Sequence, residues 1–246
     1  VYKRQLFHPK HIGRLLDKLP IAADAEITLE VNPGTQEYME FSEYRSAGIN
    51  RLSVGAQSFD EHKLKRLGRI HQSTDTTTAF IEARNAGFKN INLDLMWGLP
   101  EQTVADALSD LQIAIDLQPE HISWYQLTIE AKTEFAKRTP ILPMEQEIYD
   151  MEQAGLALLT EAGFHRYEVS AFAKSDQLCK HNLNYWQFGD YVGLGAGAHG
   201  KHSTRQDQKL IAFRSSKPSQ PRLYMANPKI TEPVSYTHLR AHETPV

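Results

Sequence analysis

Three times along the chain, a stretch with helical spacing of apolar residues ends at an Ala-Gly pair and an alternating run begins. Ala47-Gly48-Ile49 leads into Asn50-Arg51-Leu52-Ser53-Val54-Gly55. Ala86-Gly87-Phe88 leads into Asn90-Ile91-Asn92-Leu93-Asp94-Leu95, and Ala162-Gly163-Phe164 into Arg166-Tyr167-Glu168-Val169-Ser170. Glycine suits the left-handed position just past a helix end, where a side chain would strain the backbone. The preceding segments read as helices. After Thr103, the residues Val104, Leu108, Leu111 and Ile115 form one stripe. Thr103 with Asp106 forms a capping-box pattern at its start. Over 146–162, Ile148, Met151, Leu158, Leu159 and Ala162 share a face. Strands are predicted at 27–32, 51–57, 90–97, 121–129, 166–171 and 190–194. Strands alternating with helices predict an α/β fold with a parallel sheet. An open barrel and a doubly wound sheet both satisfy that order.

The strands are not apolar on both faces, as strands covered by helices on both sides would be. Successive side chains point to opposite sides. Thr28, Glu30 and Asn32 therefore share one face, as do Ser53, Gly55 and Gln57, and as do Asn92 and Asp94. Gln126 sits late in the fourth predicted strand. One side of the sheet thus carries Glu, Gln, Asp and Gln. Buried carboxylates and amides need partners. In a barrel those partners often belong to a ligand at the carboxyl ends of the strands; the alternative is that these groups satisfy one another or meet solvent.

A chain of 246 residues suffices for one large domain, or for a domain with an appendage. Its net charge of -3 offers no basic surplus for nucleic acid or an anionic membrane, so neither is expected as a direct partner. No apolar run is long enough to span a bilayer, and residues 1–6 lack the apolar stretch of a secretory signal, so a cytoplasmic location is the expectation. The single cysteine, Cys179, excludes an internal disulfide, and with it any zinc or iron–sulfur site built only from this chain's thiolates. Residues 1–5 and 234–246 resemble translated sequencing-adapter DNA, and 234–246 carry no helical or strand period. Both are set aside as non-native, so His238 and His242 are not read as a metal pair.

The predicted strands also carry a family resemblance. Glu30-Val31-Asn32-Pro33, Gly55-Ala56-Gln57-Ser58-Phe59, Leu67-Gly68-Arg69 and Asn92-Leu93-Asp94-Leu95-Met96-Trp97-Gly98-Leu99-Pro100 resemble successive motifs of the HemN/HemW group of radical S-adenosylmethionine (SAM) proteins. Ser123-Trp124-Tyr125-Gln126-Leu127-Thr128-Ile129-Glu130 and His181-Asn182-Leu183-Asn184-Tyr185-Trp186 resemble the heme-chaperone branch of that group. The resemblance runs over about residues 6–202. It implies a partial radical-SAM (β/α) barrel over 6–203 that binds SAM and a [4Fe–4S] cluster. It assigns Glu30 to the ribose, whose two hydroxyls a carboxylate can accept. It assigns Gln57 to a second polar contact with the nucleoside, and Asp94 to another acid on the SAM side. Arg69 would hold the methionine carboxylate, which its planar fork matches bidentately; taken alone, Arg69 would read as a solvated cation at a helix end. The family's Cys-x3-Cys-x2-Cys segment and its Gly-Gly-Gly-Thr-Pro strand end are expected before residue 6. The first strand or strands and a C-terminal domain are then missing from this chain, and residues 204–233 read as a loop leading toward that domain.

The same resemblance links His181, Tyr185 and Trp186 to heme. A neutral imidazole is a natural axial ligand for heme iron, and the two aromatic rings could cover a porphyrin face. Cys179 is a second candidate ligand. The alternative is a structural aromatic cluster with a hydrogen-bonded histidine. Gly195-Ala196-Gly197-Ala198-His199-Gly200 formally matches a dinucleotide fingerprint, but no amphipathic helix follows it, so it is read as a loop that lets the backbone approach a cofactor closely. His8, His11, His62, His71, His121 and His165 show no ligand spacing and are read as surface or capping groups.

The functional expectation is a heme chaperone that passes heme to an apo-hemoprotein, with membrane contact only through that recipient. The competing expectation is an oxygen-independent coproporphyrinogen III oxidase that uses SAM-derived radical chemistry. Both imply a tetrapyrrole. No catalytic residue is assigned, and the chain by itself is expected to be inactive.

Overall fold

The computed structural model describes residues 8–34, 40–131, 133–206, 209–228 and 232–239. The chain divides into two compact units, with the boundary between Leu178 and Cys179. In the first unit the order is α1 (Pro9–Leu16), β1 (Thr28–Val31), α2 (Phe41–Ser46), β2 (Arg51–Gln57), α3 (Glu61–Arg66), α4 (Ser73–Asn85), β3 (Ile91–Trp97), α5 (Val104–Asp116), β4 (His121–Gln126), α6 (Glu134–Lys137), α7 (Glu145–Glu161), β5 (His165–Arg166) and β6 (Ala171–Ala173). The sheet order is β1-β2-β3-β4-β6-β5. The first four strands are parallel, with Glu30 opposite Ser53, Ser53 opposite Asn92 and Asp94 opposite Ser123. β6 and β5 close that side as antiparallel strands.

The helix ends explain how the chain re-enters the sheet. After α2, α4 and α7 the glycines Gly48, Gly87 and Gly163 take φ of 107°, 86° and 81°. At each, the glycine N–H donates to the carbonyl of the helix's penultimate residue. The next N–H reaches one residue further back, as Ile49 does to Tyr44, Phe88 to Ala83 and Phe164 to Leu159. That pair of bonds satisfies carbonyls the helix leaves open and turns the chain back toward the sheet. The Thr103–Asp106 capping box is present at the start of α5.

One face of the sheet is apolar and carries the core. Val31, Leu52, Val54, Ala56, Leu93, Leu95, Ile122 and Trp124 meet Phe80 and Ala83 of α4, Leu111 and Ala114 of α5, and Met151 and Leu159 of α7. Burial of this face is the main force holding the unit together. The opposite face carries the polar set.

Several expectations are corrected. The predicted strand at 166–171 is instead two short strands joined by a turn. The Arg166 guanidinium donates to the carbonyls of Glu168 and Val169, taking acceptors that a continuous strand would offer to a neighbour. The predicted strand at 121–129 stops at Gln126. Residues 190–194 form no strand and contribute only a bridge from Tyr191 to Lys201.

The second unit contains α8 (Lys180–Trp186), β7 (His199–Gln206), β8 (Lys209–Ser216), α9 (Pro221–Ala226) and β9 (Glu232–Leu239). Its three strands are antiparallel in the order β7-β8-β9. The loop expected over 204–233 is therefore largely a β-hairpin and a helix, and residues 234–239, expected to lack a strand, form the outer strand by backbone pairing with β8. That pairing needs no side-chain period, which is why the residue pattern did not disclose it. Residues 1–5 and 240–246 lie outside the described residues. Inside this unit, the buried Lys201 Nζ donates to the Phe188 carbonyl at 2.8 Å and the Asp190 carboxylate at 2.8 Å, fixing the turn after α8.

Candidate functional site

The polar face of β1–β4 closes around a cavity of about 350 Å³. Its lining includes Glu30, Asn32, Ser53, Gln57, Arg69, Asp94 and Tyr125. The four residues assigned to SAM by resemblance thus come together from three strands and one helix end. Glu30 is exposed at the rim, and Asp94 and Arg69 are partly covered.

Arg69 arrives by the same device that ends the other helices. Gly68 takes φ 69° after α3, its N–H donates to Lys65, and the Arg69 N–H donates to Leu64. The reversal hands Arg69 to the cavity rather than to bulk solvent.

Gln57 ends β2 with φ 67°, a conformation costly for a residue with a side chain. The Ser58 N–H donates to the Ala56 carbonyl at 2.9 Å, closing a three-residue turn with Gln57 at its centre. The β2–β3 register slips at this point. Gly55 is required beneath it. A Cβ there would lie 2.9 Å from both the Asn32 Oδ1 and the Gln57 Nε2.

Asp94 lies on the floor of a polar network. The Ser53 hydroxyl donates to its Oδ2 at 3.0 Å, and the Asn92 amide donates to its Oδ1 at 2.7 Å. The same amide donates to the Ser53 oxygen at 2.7 Å. With its amide hydrogens so used, Asn92 offers its Oδ1 to the Ser123 hydroxyl at 3.1 Å and to the His121 Nδ1 at 2.6 Å. His121 therefore carries its proton on Nδ1, and its Nε2 lies 2.7 Å from the Tyr167 hydroxyl. Burial pushes the Asp94 carboxyl above the ordinary range, the donated hydrogen bonds pull it back, and the nearby Glu30 charge adds to the rise.

Tyr125 completes the wall. Its hydroxyl donates to the Gln57 Oε1 at 2.6 Å. Burial, with the Asp94 charge beside it, pushes this phenol up to about 12, so it stays a donor at neutral pH. The contribution expected from β4 is Gln126. The structure corrects that: Tyr125 shares the polar face with Ser123, and Gln126 is on the other side, against Gly98. The signal was available, because Ser123 and Tyr125 are two apart on a strand whose core residues are Ile122 and Trp124.

Two histidines read as surface or capping groups are buried. His121 is the network member just described, and His71 places its Nε2 3.2 Å from the Ala56 carbonyl. Burial lowers the His71 pKa. His8 does cap, accepting from the Lys10 N–H ahead of α1.

His181, Tyr185 and Trp186, which the resemblance links to heme, lie in the second unit, on α8. His181 and Tyr185 are one turn apart on one side of that helix. The Cys179 Sγ is 3.1 Å from the His181 Nδ1. Tyr185 meets Tyr191 edge-on at 4.8 Å, and Tyr185 and Trp186 are each 54% exposed. Val192 and Leu194 beyond them are exposed as well.

A half-polar parallel sheet with a carboxylate, an amide and an arginine at the carboxyl ends of its strands defines the class. Residues 6–113 match the radical SAM superfamily, and the chain carries that domain. Its sequence is 52% identical over 208 residues to the heme chaperone HemW of Escherichia coli, covering 85% of this chain and 54% of that one. It is 53% identical over 200 residues to the heme chaperone HemW of Haemophilus influenzae, covering 80% and 52%. With the Bacillus subtilis heme chaperone HemW it shares 41% over 194 residues, covering 77% and 50%. The chain spans about half the length of these curated relatives. Among solved structures, the radical SAM enzyme coproporphyrinogen III oxidase (HemN) of Escherichia coli superposes with a TM-score of 0.75 at 22% identity. That match covers 95% of this chain and 57% of that one, and it speaks to the fold. Membership of the superfamily implies SAM and a [4Fe–4S] cluster. The cavity fits the first: it offers an acid, an amide, a guanidinium and a second acid around a space of nucleoside size. The cluster does not fit this chain, whose one cysteine cannot supply three thiolates. No described helix is long and apolar enough to cross a membrane.

Proposed function

We propose that the full-length protein is a cytoplasmic heme chaperone that binds SAM in the β1–β4 cavity and passes heme to an apo-hemoprotein. The observation that carries the SAM half is the convergence of Glu30, Gln57, Arg69 and Asp94 on one cavity. SAM combines a ribose diol, a carboxylate and cationic ammonium and sulfonium groups. Glu30 would accept from the ribose hydroxyls, Arg69 would hold the carboxylate bidentately, and Gln57 would contact the nucleoside. Asp94 would offset the positive charge.

The heme half is supported by the relatives named heme chaperones and by α8. His181 would offer an imidazole to the iron, with Cys179 beside it as a second candidate. Tyr185 and Trp186, each about half exposed, would lie against the porphyrin face. The reading as coproporphyrinogen III oxidase has only the fold likeness behind it.

Heme titration of the full-length protein and of its His181→Ala variant tests this reading. The Soret band is expected to grow with heme for the unsubstituted protein and to weaken in the variant. An unchanged Soret intensity and affinity in the variant would remove His181 as the ligand. Turnover of coproporphyrinogen III by the reconstituted protein would overturn the chaperone reading.

A further inference from the structure

We infer that Asp110 of α5 is a positioning residue for Gln57, holding from behind the sheet the turn that aims this amide into the cavity. The inference rests on the SAM reading above.

Asp110 lies in the layer behind the cavity and is 4% exposed. Its Oδ2 accepts from the Ser58 hydroxyl at 2.6 Å, and its Oδ1 accepts from the Phe59 N–H at 2.7 Å. The Ser58 oxygen in turn accepts from the Asp60 N–H at 3.0 Å. One carboxylate therefore secures the two residues after Gln57, and through Ser58 a third. These are the residues that must stay in place for Gln57 to remain at φ 67°. A residue so placed relaxes toward commoner backbone angles unless its surroundings over-determine it. The Tyr125 hydroxyl holds the amide from the front; Asp110 holds the backbone from the back.

The same helix holds the segment a second time. Asp106, one turn before Asp110, takes the buried Lys63 ammonium at 3.1 Å. Lys63 belongs to α3, which Asp60 caps by accepting from the N–H groups of His62 and Lys63. α3 ends at the reversal that delivers Arg69. The start of the 58–69 excursion is thus tied to α5 at two points, and a cavity residue stands just before it and another at its end. A buried carboxylate with two short donors is an expensive feature to place in a core where an apolar side chain would pack. Positioning Gln57 gives it a use.

The test is isothermal titration of SAM into the anaerobically reconstituted full-length protein. The variants are Asp110→Ala, Gln57→Ala, Glu30→Ala and the two doubles that pair Asp110→Ala with each of the others. Asp110→Ala is expected to weaken binding about tenfold. In the Gln57→Ala background it is expected to cost nothing further, because its effect passes through Gln57, whereas with Glu30→Ala the losses should add. Asp110→Asn, which can still accept from the Phe59 N–H, should recover most of the affinity. Should Asp110→Ala fail to fold, Ser58→Ala takes its place in the same cycle. Additive losses with both Gln57→Ala and Glu30→Ala would mark a general softening and overturn the inference alone. Absence of SAM binding by the unsubstituted protein would overturn the SAM reading, and this inference with it.

Discussion

The Tyr125 hydroxyl donates to the Gln57 amide oxygen at 2.6 Å, joining β4 to the end of β2 across β3. The bond fixes which way the amide faces. With its oxygen engaged, Gln57 keeps its nitrogen over Gly55, on the cavity side of the sheet. Tyr125→Phe removes the donor and frees the amide to turn over. SAM affinity of the full-length protein should fall several-fold by calorimetry, with a loss of about 1 kcal/mol in unfolding free energy. An unchanged affinity would mean that the amide orientation is set by something other than Tyr125.

Asp94 should make SAM binding depend on pH. Burial raises its pKa, and a ligand carrying ammonium and sulfonium charge favours its ionised form. Affinity should therefore fall as pH is lowered, starting above the ordinary carboxylate range. Titrations between about pH 7 and about pH 4.5 would follow this. Asp94→Asn should bind more weakly near neutrality and show a shallower pH dependence, the two proteins converging at the acid end. Parallel curves would remove Asp94 from the charge balance.

The parts of this fold that were legible in the sequence are those that depend on local chemistry. The Ala-Gly junctions, the Thr103 capping box and the alternation in β1–β3 each state a backbone preference within a few residues. From the pattern alone they place Glu30, Gln57 and Asp94 on one face. Arg69 needed the family resemblance, because a helix-end arginine is ordinary surface by pattern alone. What stayed hidden depends on distant partners. His121 becomes a buried network member through Asn92 and Tyr167, which are distant in sequence, and Asp110 becomes a clamp because β2 ends beside α5. The turn at 168–170 was hidden for another reason: a long side chain, Arg166, satisfied carbonyls that the alternating pattern had assigned to a neighbouring strand.

Asp110 also leaves a signature in stability. Burial pushes its carboxyl up from 3.8 to about 6, against the pull of the Ser58 hydroxyl and the Phe59 amide. Between those values the folded chain binds the proton more firmly than the unfolded chain. Its contribution to stability is thus greatest below about pH 4 and is lost as pH rises through about 6. The size is on the order of 2–3 kcal/mol. Urea unfolding of the full-length protein and of Asp110→Asn across this range should differ in slope, the variant lacking this fall. Equal slopes would place the proton on another group.

Gly155 sets packing against propensity. It stands inside α7, where glycine costs about 1 kcal/mol relative to alanine. On propensity alone, Gly155→Ala would stabilise the helix. Yet a Cβ at this position would lie far inside van der Waals contact with the Trp124 ring, which is buried and stacked on Trp97 at 5.0 Å with an angle of 26°. The ring has little room to retreat, because Phe172 meets it edge-on on another side. Overpacking of this kind costs about 1–3 kcal/mol and outweighs the gain in propensity. Gly155→Ala should therefore lower the unfolding free energy, and the shifted indole stack should alter the near-ultraviolet circular dichroism. A rise in stability would show that α7 can move away from the sheet, and that the glycine is there for some reason other than the Trp124 ring.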